Sequence, residues 1–555
     1  MNIPANISEN LRFLISEVSI QLKNLQIFLS TPSTSLAKHI LDRSGYTFNL
    51  KSRIQNACTD MIRGQKYSSL LNNQFKALDL IASDLEQIAE LSRNCVNLMH
   101  DNIFQNSSKN KATLFYKPLN QQIQLINDQL SKLEICIHNN DTKLSMEIAG
   151  ADSKIKKYQL KLQKKLEHQI GRKKSFNSVM ISMSLMNNIS HMGNALRSMS
   201  EDIISAVLGQ NLNTERYQSM RNAIEQRWGL SPEKMDIKTI AETRSGSSIS
   251  SIQSPKANEQ AFANNAIFKD GKKNKLKEEK QRVESWHQIY PGLAPKIIDY
   301  HKNGKTASIL IEHLSGQTYE GILLHESTSL LKQTQKKLRS TLKKIWNDTY
   351  SSEEIPGNYV QQLKKRLDNV FSIHPKFIHG QSSICGYKIN AFSTLLDKAE
   401  KYEQSYIKAP FSVYIHGDFN IDNIIYDPQQ KKINFIDLHR SEQMDYIQDI
   451  SVFMVSHYRL QALAPDIRCK VQQTAIDFYH FAKKYANKVG DKQFEIRLAI
   501  ALARSFATST RFILDPTLSE NMFIRAHYLL EKIVNTPVEK INRFHLPIKE
   551  VFNGK

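Results

Sequence analysis

In the first 210 residues, apolar positions recur at intervals of three and four. The segments 6–30, 49–63, 71–101, 118–147, 151–170 and 175–209 carry this period and predict amphipathic helices. Turn-forming stretches separate them: STPSTS at 31–36, SSKN at 107–110, HNND at 138–141 and GRKKS at 171–175. β-Branched alternation is scarce before residue 230, so this half reads as an all-α bundle. A shift of 101 residues lays Phe75 on Phe176, Leu78 on Val179, Ala82 on Met183, Leu85 on Met186, Ile88 on Ile189, Leu91 on Met192 and Cys95 on Leu196. Apolar falls on apolar throughout, which predicts two related three-helix units. Residues 210–235 read as a connector.

From residue 236 the texture changes. IKTIAETRSGSSISSIQS suggests short strands around a Ser/Gly turn. AIFKD (266–270), KIIDYHKNGKTASILIEHL, FSVYIHGDF, NIIYD and INFIDL follow as short β-type runs. Residues 320–405 are helical and basic, with KQTQKKLRSTLKK (332–344) free of acid, and the chain is helical again from 449 to about 535. A small sheet followed by a helical lobe is α+β organisation, and the whole is an α+β multidomain chain.

Composition narrows the class. With 555 residues the chain exceeds a single ordinary core. Hydrophobic residues at 40%, with only 19 Gly and 15 Pro, exclude collagen-like and wholly disordered readings. Cys58, Cys95, Cys136, Cys385 and Cys469 are scattered without a CxxC pair, which supports neither a disulfide framework nor a thiolate zinc site. No window approaches the ~20 apolar residues of a membrane span. The start, MNIPANISENLRF, lacks a basic and an apolar signal region, so a cytoplasmic setting is expected. The net charge of +21 suits anionic partners. No RNA-recognition, zinc-finger or basic-zipper pattern accompanies it, so nucleic acid is not the expected one.

Candidate chemistry concentrates in residues 411–450, FSVYIHGDFNIDNIIYDPQQKKINFIDLHRSEQMDYIQDI. An alternating strand ends in the loop His416 to Asn423. Two short strands follow, and Asp437 closes the second. Phosphoryl transfer from a nucleotide needs a carboxylate to take the acceptor's proton, oxygen ligands for Mg²⁺ and a lysine for the phosphates. Asp418 suits the first role. A hairpin would bring Asn423 and Asp437 to one metal. HGDFNIDN and INFIDLHRSE resemble the catalytic pattern of the aminoglycoside phosphotransferase and choline kinase family, relatives of the protein kinases. The resemblance implies a bilobal protein-kinase-like fold, Asp418 as catalytic aspartate, Asn423 and Asp437 as metal ligands, and structural roles for His416 and for Asp449, which would brace the catalytic loop.

The same resemblance extends upstream. AIFKD reads as the strand presenting the nucleotide lysine, Lys269. The next helix, LKEEKQRVESWHQIY, offers its carboxylate partner. Glu279 shares a helical stripe with Val283 and Trp286, and so is preferred to Glu278. ILIEHLSGQT resembles the hinge, with backbone around Glu312–Leu314 for the adenine. RSGSSISS (244–251) would cover the phosphates, with Ser247 and Ser248 contributing N–H and hydroxyl groups.

ILDRSGYTFNLKSRIQNACTDMI and LDLIASDLEQIAELSRNCVNLM resemble the PhoU-like family of phosphate-uptake regulators, built from two three-helix bundles. That family holds metal with acidic pairs one turn apart. Here Glu86 and Glu90 stand in the first unit, and Asn187 and His191 in the second. The expected organisation is a PhoU-like regulatory or interaction bundle at 1–215, a connector at 216–235, a kinase-like N-lobe at 236–315 and a helical C-lobe at 316–555. The expected activity is transfer of the γ-phosphate of ATP, with Mg²⁺, to a hydroxyl of a small molecule, with GTP in place of ATP left open. Two other classes stand beside it. One is a nucleotide-binding regulator without turnover. The other is a basic scaffold whose helices, 154–174 among them, dock an acidic protein partner.

Overall fold

Pro4 precedes the first helix, α1 (Ala5–Ser30), whose buried positions Ile7, Leu11, Leu14, Val18, Leu22, Leu25 and Phe28 keep the three-and-four period. In the computed structural model of the chain, residues 3–64, 69–105, 116–170, 176–242, 248–253, 265–384, 386–461 and 464–552 are described. The bundle continues as α2 (Thr34–Leu41), α3 (Ser44–Gly64), α4 (Ser69–Gln105), α5 (Tyr116–Asn139), α6 (Thr142–Ile170) and α7 (Phe176–Leu208). The buried apolar faces of these helices meet in one core.

Three sequence expectations change here. STPSTS is not only a turn: Ser33 accepts the Leu36 N–H and starts α2. The single helix expected at 118–147 breaks at Asn139. Asn140 adopts φ +53, and the Asp141 carboxylate caps α6 by accepting the Leu144 N–H at 2.9 Å. In the 101-residue repeat, Ala82 is buried but Met183 is 45% exposed, so that pair does not share an environment. The turns expected at 107–110 and 171–175 lie outside the described residues. Glu86 is engaged by Arg93 at 3.0 Å and Lys51 at 3.5 Å, while Glu90 is exposed.

The chain forms two compact units, Met1–Asp270 and Gly271–Lys555. The division is not in the 216–235 segment read as a connector. That segment is mostly helix, α8 (Thr214–Trp228), burying Tyr217, Met220 and Ile224. Three antiparallel strands follow, β1 (Asp236–Glu242), β2 (Ser248–Gln253) and β3 (Asn265–Lys272), with β2 between the other two. Arg216 of α8 explains why these strands group with the bundle. It pairs with Asp270 at 3.0 Å and donates to Ser250 Oγ at 3.0 Å, and Ser250 donates to Gln210.

The second unit opens with α9 (Lys273–Ile289) and the hairpin β4 (Ile297–Asn303) and β5 (Thr306–Glu312). Leu276, Ala307 and Ile309 form a small core between helix and hairpin. Next come β6 (Gln317–Thr318), α10 (Tyr319–His325), α11 (Thr328–Asp348), α12 (Tyr359–Ile373), the hairpin β7 (Ser382–Ile384) and β8 (Tyr387–Ile389), and α13 (Phe392–Tyr406). Four short strands follow, β9 (Val413–Ile415), β10 (Ile424–Asp427), β11 (Lys432–Phe435) and β12 (Glu442–Met444). The unit ends with α14 (Ile447–Tyr458), α15 (Pro465–Lys488), α16 (Phe494–Ser509), α17 (Pro516–Val534) and α18 (Ile548–Phe552). β10 lies between β11 and β6, and β12 pairs with β9. An α+β unit thus follows an all-α bundle. The basic run 332–344 is the solvated side of α11, which buries Leu331, Leu338, Leu342 and Ile345 on its other face.

Candidate active site

β9 is buried on both faces and delivers His416 into the core of the second unit. The His416 ring is fixed at both nitrogens. Nε2 lies 2.9 Å from the Ile436 carbonyl and donates to it; Nδ1 accepts the Asp418 N–H at 3.3 Å. Burial holds this imidazole below its ordinary pKa, so it is the neutral tautomer that orders the turn. The Asp449 carboxylate, buried on α14, accepts the N–H groups of His416 and Gly417 at 2.8 Å each. Burial pushes Asp449 up to about 7, against those two donors.

Gly417 is required at this turn. Its φ is +81, and a Cβ there would lie 2.2 Å from the Arg440 carbonyl oxygen. Backbone on both sides leaves nothing to move aside. Gly417→Ala is therefore expected to cost at least about 1–2 kcal/mol, the left-handed penalty alone. It should also separate the two halves of the site. A denaturant midpoint equal to wild type would refute this.

Asp418 stands at the loop's tip. One oxygen accepts Asn420 Nδ2 at 2.9 Å, and the other pairs with Arg440 Nη1 at 3.0 Å. Asn423 closes a short 3₁₀ turn, and its Nδ2 donates to the Asp418 carbonyl at 2.9 Å. The hairpin expected from sequence forms: Ile424 pairs with Phe435, and the Asn423 carbonyl accepts the Ile436 N–H at 3.0 Å. Asp437 follows directly, at φ +58, a left-handed conformation that Asp tolerates better than most side chains. Its Oδ1 lies 3.2 Å from His439 Nδ1. Asp418 thus follows β9, while Asn423 and Asp437 stand at the two ends of the β10–β11 hairpin.

α9 buries Leu276, Glu279, Val283 and Trp286 on one face, with Glu278 exposed. Trp286 Nε1 donates to Ser441 Oγ at 2.8 Å, and Ser441 Oγ donates to the His416 carbonyl at 3.1 Å. Glu312 ends β5, where its carboxylate accepts the Lys296 N–H at 3.1 Å, and Leu314 is half-buried just beyond. The segment after them is pinned to β10. Ser315 Oγ donates to Asp427 at 2.5 Å, and Gly316 (φ +104) lies so close to Tyr426 that a Cβ would meet its carbonyl oxygen at 2.2 Å. Lys269 belongs to the first unit, buried on β3 opposite Ile249. Ser248 begins β2 opposite Asp270, so this end of the expected phosphate loop is strand; Ser247 lies outside the described residues. Sequence reasoning missed Arg440 and Ser441. The signal was within the quoted motif, a cation three residues after Asp437.

Among the described residues, no group of three or more His, Cys, Asp and Glu is placed to hold a metal. No helix is long and apolar enough to cross a membrane.

Residues 323–483 match the sequence profile of the ecdysteroid kinase-like family, a span that includes Asp418, Asn423, Asp437 and Asp449. The match supports a kinase-like phosphotransferase fold for this part of the chain. No curated protein matches in sequence. Among solved structures, the chain is similar to PhoU from Pseudomonas aeruginosa at 13% identity, covering 37% of this chain and 96% of that one with a TM-score of 0.34. It is similar to an aminoglycoside-3'-phosphotransferase of type VIII at 14% identity, covering 51% and 97% with a TM-score of 0.33. It is also similar to an ethanolamine kinase from Plasmodium vivax at 13% identity, covering 56% and 85% with a TM-score of 0.33.

Proposed function

We propose that the chain is a nucleotide- and Mg²⁺-dependent phosphotransferase acting on a hydroxyl of a small molecule. The observation that carries this reading is the placement of Asp418 in the loop after β9, with Asn423 and Asp437 at the two ends of the β10–β11 hairpin, where the Asn423 carbonyl accepts the Ile436 N–H at 3.0 Å. Binding alone needs no base beside the ligand oxygens. Asp418 is the acceptor-side carboxylate that takes the hydroxyl proton. One carboxylate and one amide oxygen are the hard donors that Mg²⁺ takes when phosphates complete its shell, so the donor set fits. Asn423 and Asp437 would hold that ion, which neutralises charge on the transferred group when bound. The reading keeps the roles expected from sequence for Lys269 and Glu279 toward the phosphates, for Ser247 and Ser248 in a covering loop and for the Glu312–Leu314 backbone toward the base. ATP fits these roles, and GTP is the alternative nucleotide.

The N-terminal bundle acts on this reading as a regulatory or interaction module. Supporting this, α6 exposes Lys154, Lys157, Lys161, Lys164 and Lys165 on one solvated side, where an acidic protein partner could dock. A cytoplasmic setting fits the four described cysteines, all free.

Asp437→Asn exchanges a charged ligand for a neutral one. Mg²⁺-dependent ATP affinity should fall by at least the roughly 10–100-fold that even outer-shell changes cost a metal site. Thermal shift with ATP, with and without Mg²⁺, measures it. No stabilisation of the wild-type protein by millimolar Mg·ATP or Mg·GTP would refute the phosphotransferase reading.

A further inference from the structure

Around Asp418 the second unit gathers positive charge that the phosphotransfer roles do not use. Arg440 pairs with the carboxylate directly, at 3.0 Å. Three more arginines, Arg366 on α12, Arg504 on α16 and Arg511 in the 3₁₀ turn after α16, lie on elements packed against one another, and Arg504 reaches the same loop through Gln448, whose Nε2 donates to the Gly417 carbonyl at 3.4 Å. Asp418 is the one carboxylate whose charge opposes their mutual repulsion at Arg366 and Arg511. Behind it, Asp449 is engaged by two backbone N–H groups. Arg440 and Arg504 thus reach the loop that carries Asp418 through direct contacts, and the charge of Asp418 acts on Arg366 and Arg511 as well.

Burial makes this arrangement costly. Arg504 is 3% exposed; its Nη2 donates to Gln448 at 2.7 Å and Ser451 at 3.1 Å, yet its buried Nε has no partner. The Nε of Arg511 is likewise buried and unpartnered. Burial and the neighbouring cations bring both guanidinium groups down to about 10. Native proteins leave few buried donors unsatisfied, and each calls for an explanation, an ion or water among them. The guanidinium fork matches carboxylate and phosphate oxygens in pairs.

We infer that the phosphoryl acceptor is an anionic alcohol, a hydroxyl compound whose own carboxylate or phosphomonoester is held by Arg366, Arg440, Arg504 and Arg511. The inference rests on the phosphotransferase reading and names its substrate class. With the anion seated on the arginines, the hydroxyl faces Asp418. Its oxygen bonds to the transferred phosphorus as the bond from that phosphorus to the nucleoside diphosphate breaks, and its proton passes to Asp418. A cationic amino-alcohol would meet like charge in the same place and be rejected.

The test uses full-length protein with Mg²⁺ and a non-hydrolysable ATP analogue. Melting is followed with glycerate, glycerol 3-phosphate, inorganic phosphate, glycerol and ethanolamine. Glycerate or glycerol 3-phosphate should stabilise the protein, and the stronger of the two identifies the anionic group. Glycerol and ethanolamine should not. Arg366→Gln and Arg511→Gln should each weaken that binding about 10–100-fold, as loss of a charge-assisted hydrogen bond does. Lys488→Gln, at an exposed residue of α15, should not. Nucleotide affinity should persist in both arginine variants, which also shows that they fold. Stabilisation by ethanolamine or glycerol alone would overturn the inference. So would no response to either anion at 10 mM (about the weakest useful affinity), or an anion response equal in wild type and variants. Those results leave the nucleotide response, and the phosphotransferase reading, standing. An anion response without any nucleotide response overturns that reading and with it the acceptor role.

Discussion

Asp418→Asn is expected to lower phosphoryl transfer by roughly 10²–10⁴-fold, the range that loss of a general base costs. The substitution keeps the side chain's size and one acceptor oxygen, which can serve Asn420 or Arg440 but not both, while the turn stays held by Asp449 on the His416 and Gly417 N–H groups. What disappears is the basic oxygen that receives the hydroxyl proton. Mg·ATP affinity should change little, because Asn423 and Asp437 remain and the altered group lies on the acceptor side. Titration calorimetry with Mg·ATP and a turnover assay with labelled nucleotide separate the two effects. Equal turnover in wild type and variant would remove Asp418 from the chemistry and favour a regulator that only binds nucleotide. A parallel loss of both affinity and turnover would place it among the phosphate ligands instead.

Arg497→Met should cost about 3–5 kcal/mol of stability, the usual result of removing one member of a buried ion group. Arg497 is 1% exposed on α16. Its guanidinium reaches Asp445 at 2.5 Å and also binds Asp491. Tyr359 donates to Asp445 at 3.0 Å, and Tyr446 donates to Asp491 at 2.7 Å. Burial alone would lower the arginine's pKa, but the two carboxylates raise it, so it stays charged. Methionine fills similar space yet leaves two buried carboxylates facing each other. Urea unfolding followed by circular dichroism reads the change in midpoint. A change under 1 kcal/mol at neutral pH would mean that water or relaxation relieves the orphaned pair.

The parts of the site that are local in sequence could be read from it. His416 to Asp437 is one loop and one hairpin, so alternating apolar residues predict the strands and polar residues fall at their ends. The face of α9 was equally legible, since Glu279, Val283 and Trp286 share a helical stripe that the structure buries. The break between α5 and α6 was legible only as the turn-forming HNND at 138–141, because apolar residues run in phase across it and a left-handed Asn140 with one Asp141 cap sets its place. The boundary between units depended on a single long-range charge. Arg216 binds Asp270, 54 positions further along the chain, and helical periodicity carries no information on such a pair. The arginines around Asp418 are distributed over residues 366–511. Only the packing of α12 and α16 near the catalytic loop makes them neighbours.

The hydrogen bond from Trp286 to Ser441, and from Ser441 to the His416 carbonyl, gives the protein an optical handle. The chain has three tryptophans, Trp228, Trp286 and Trp346, and only Trp286 is bonded through one hydroxyl to the catalytic turn. Its indole also lies edge-on to Tyr414 of β9 and Phe435 of β11. Indole emission responds to hydrogen bonding and to nearby rings. A ligand that shifts the turn should therefore change the wavelength or intensity of intrinsic fluorescence without any added label. Double replacement of Trp228 and Trp346 by Phe would leave a chain whose emission comes from beside the site alone. Stopped-flow mixing could then time the arrival of nucleotide and acceptor separately.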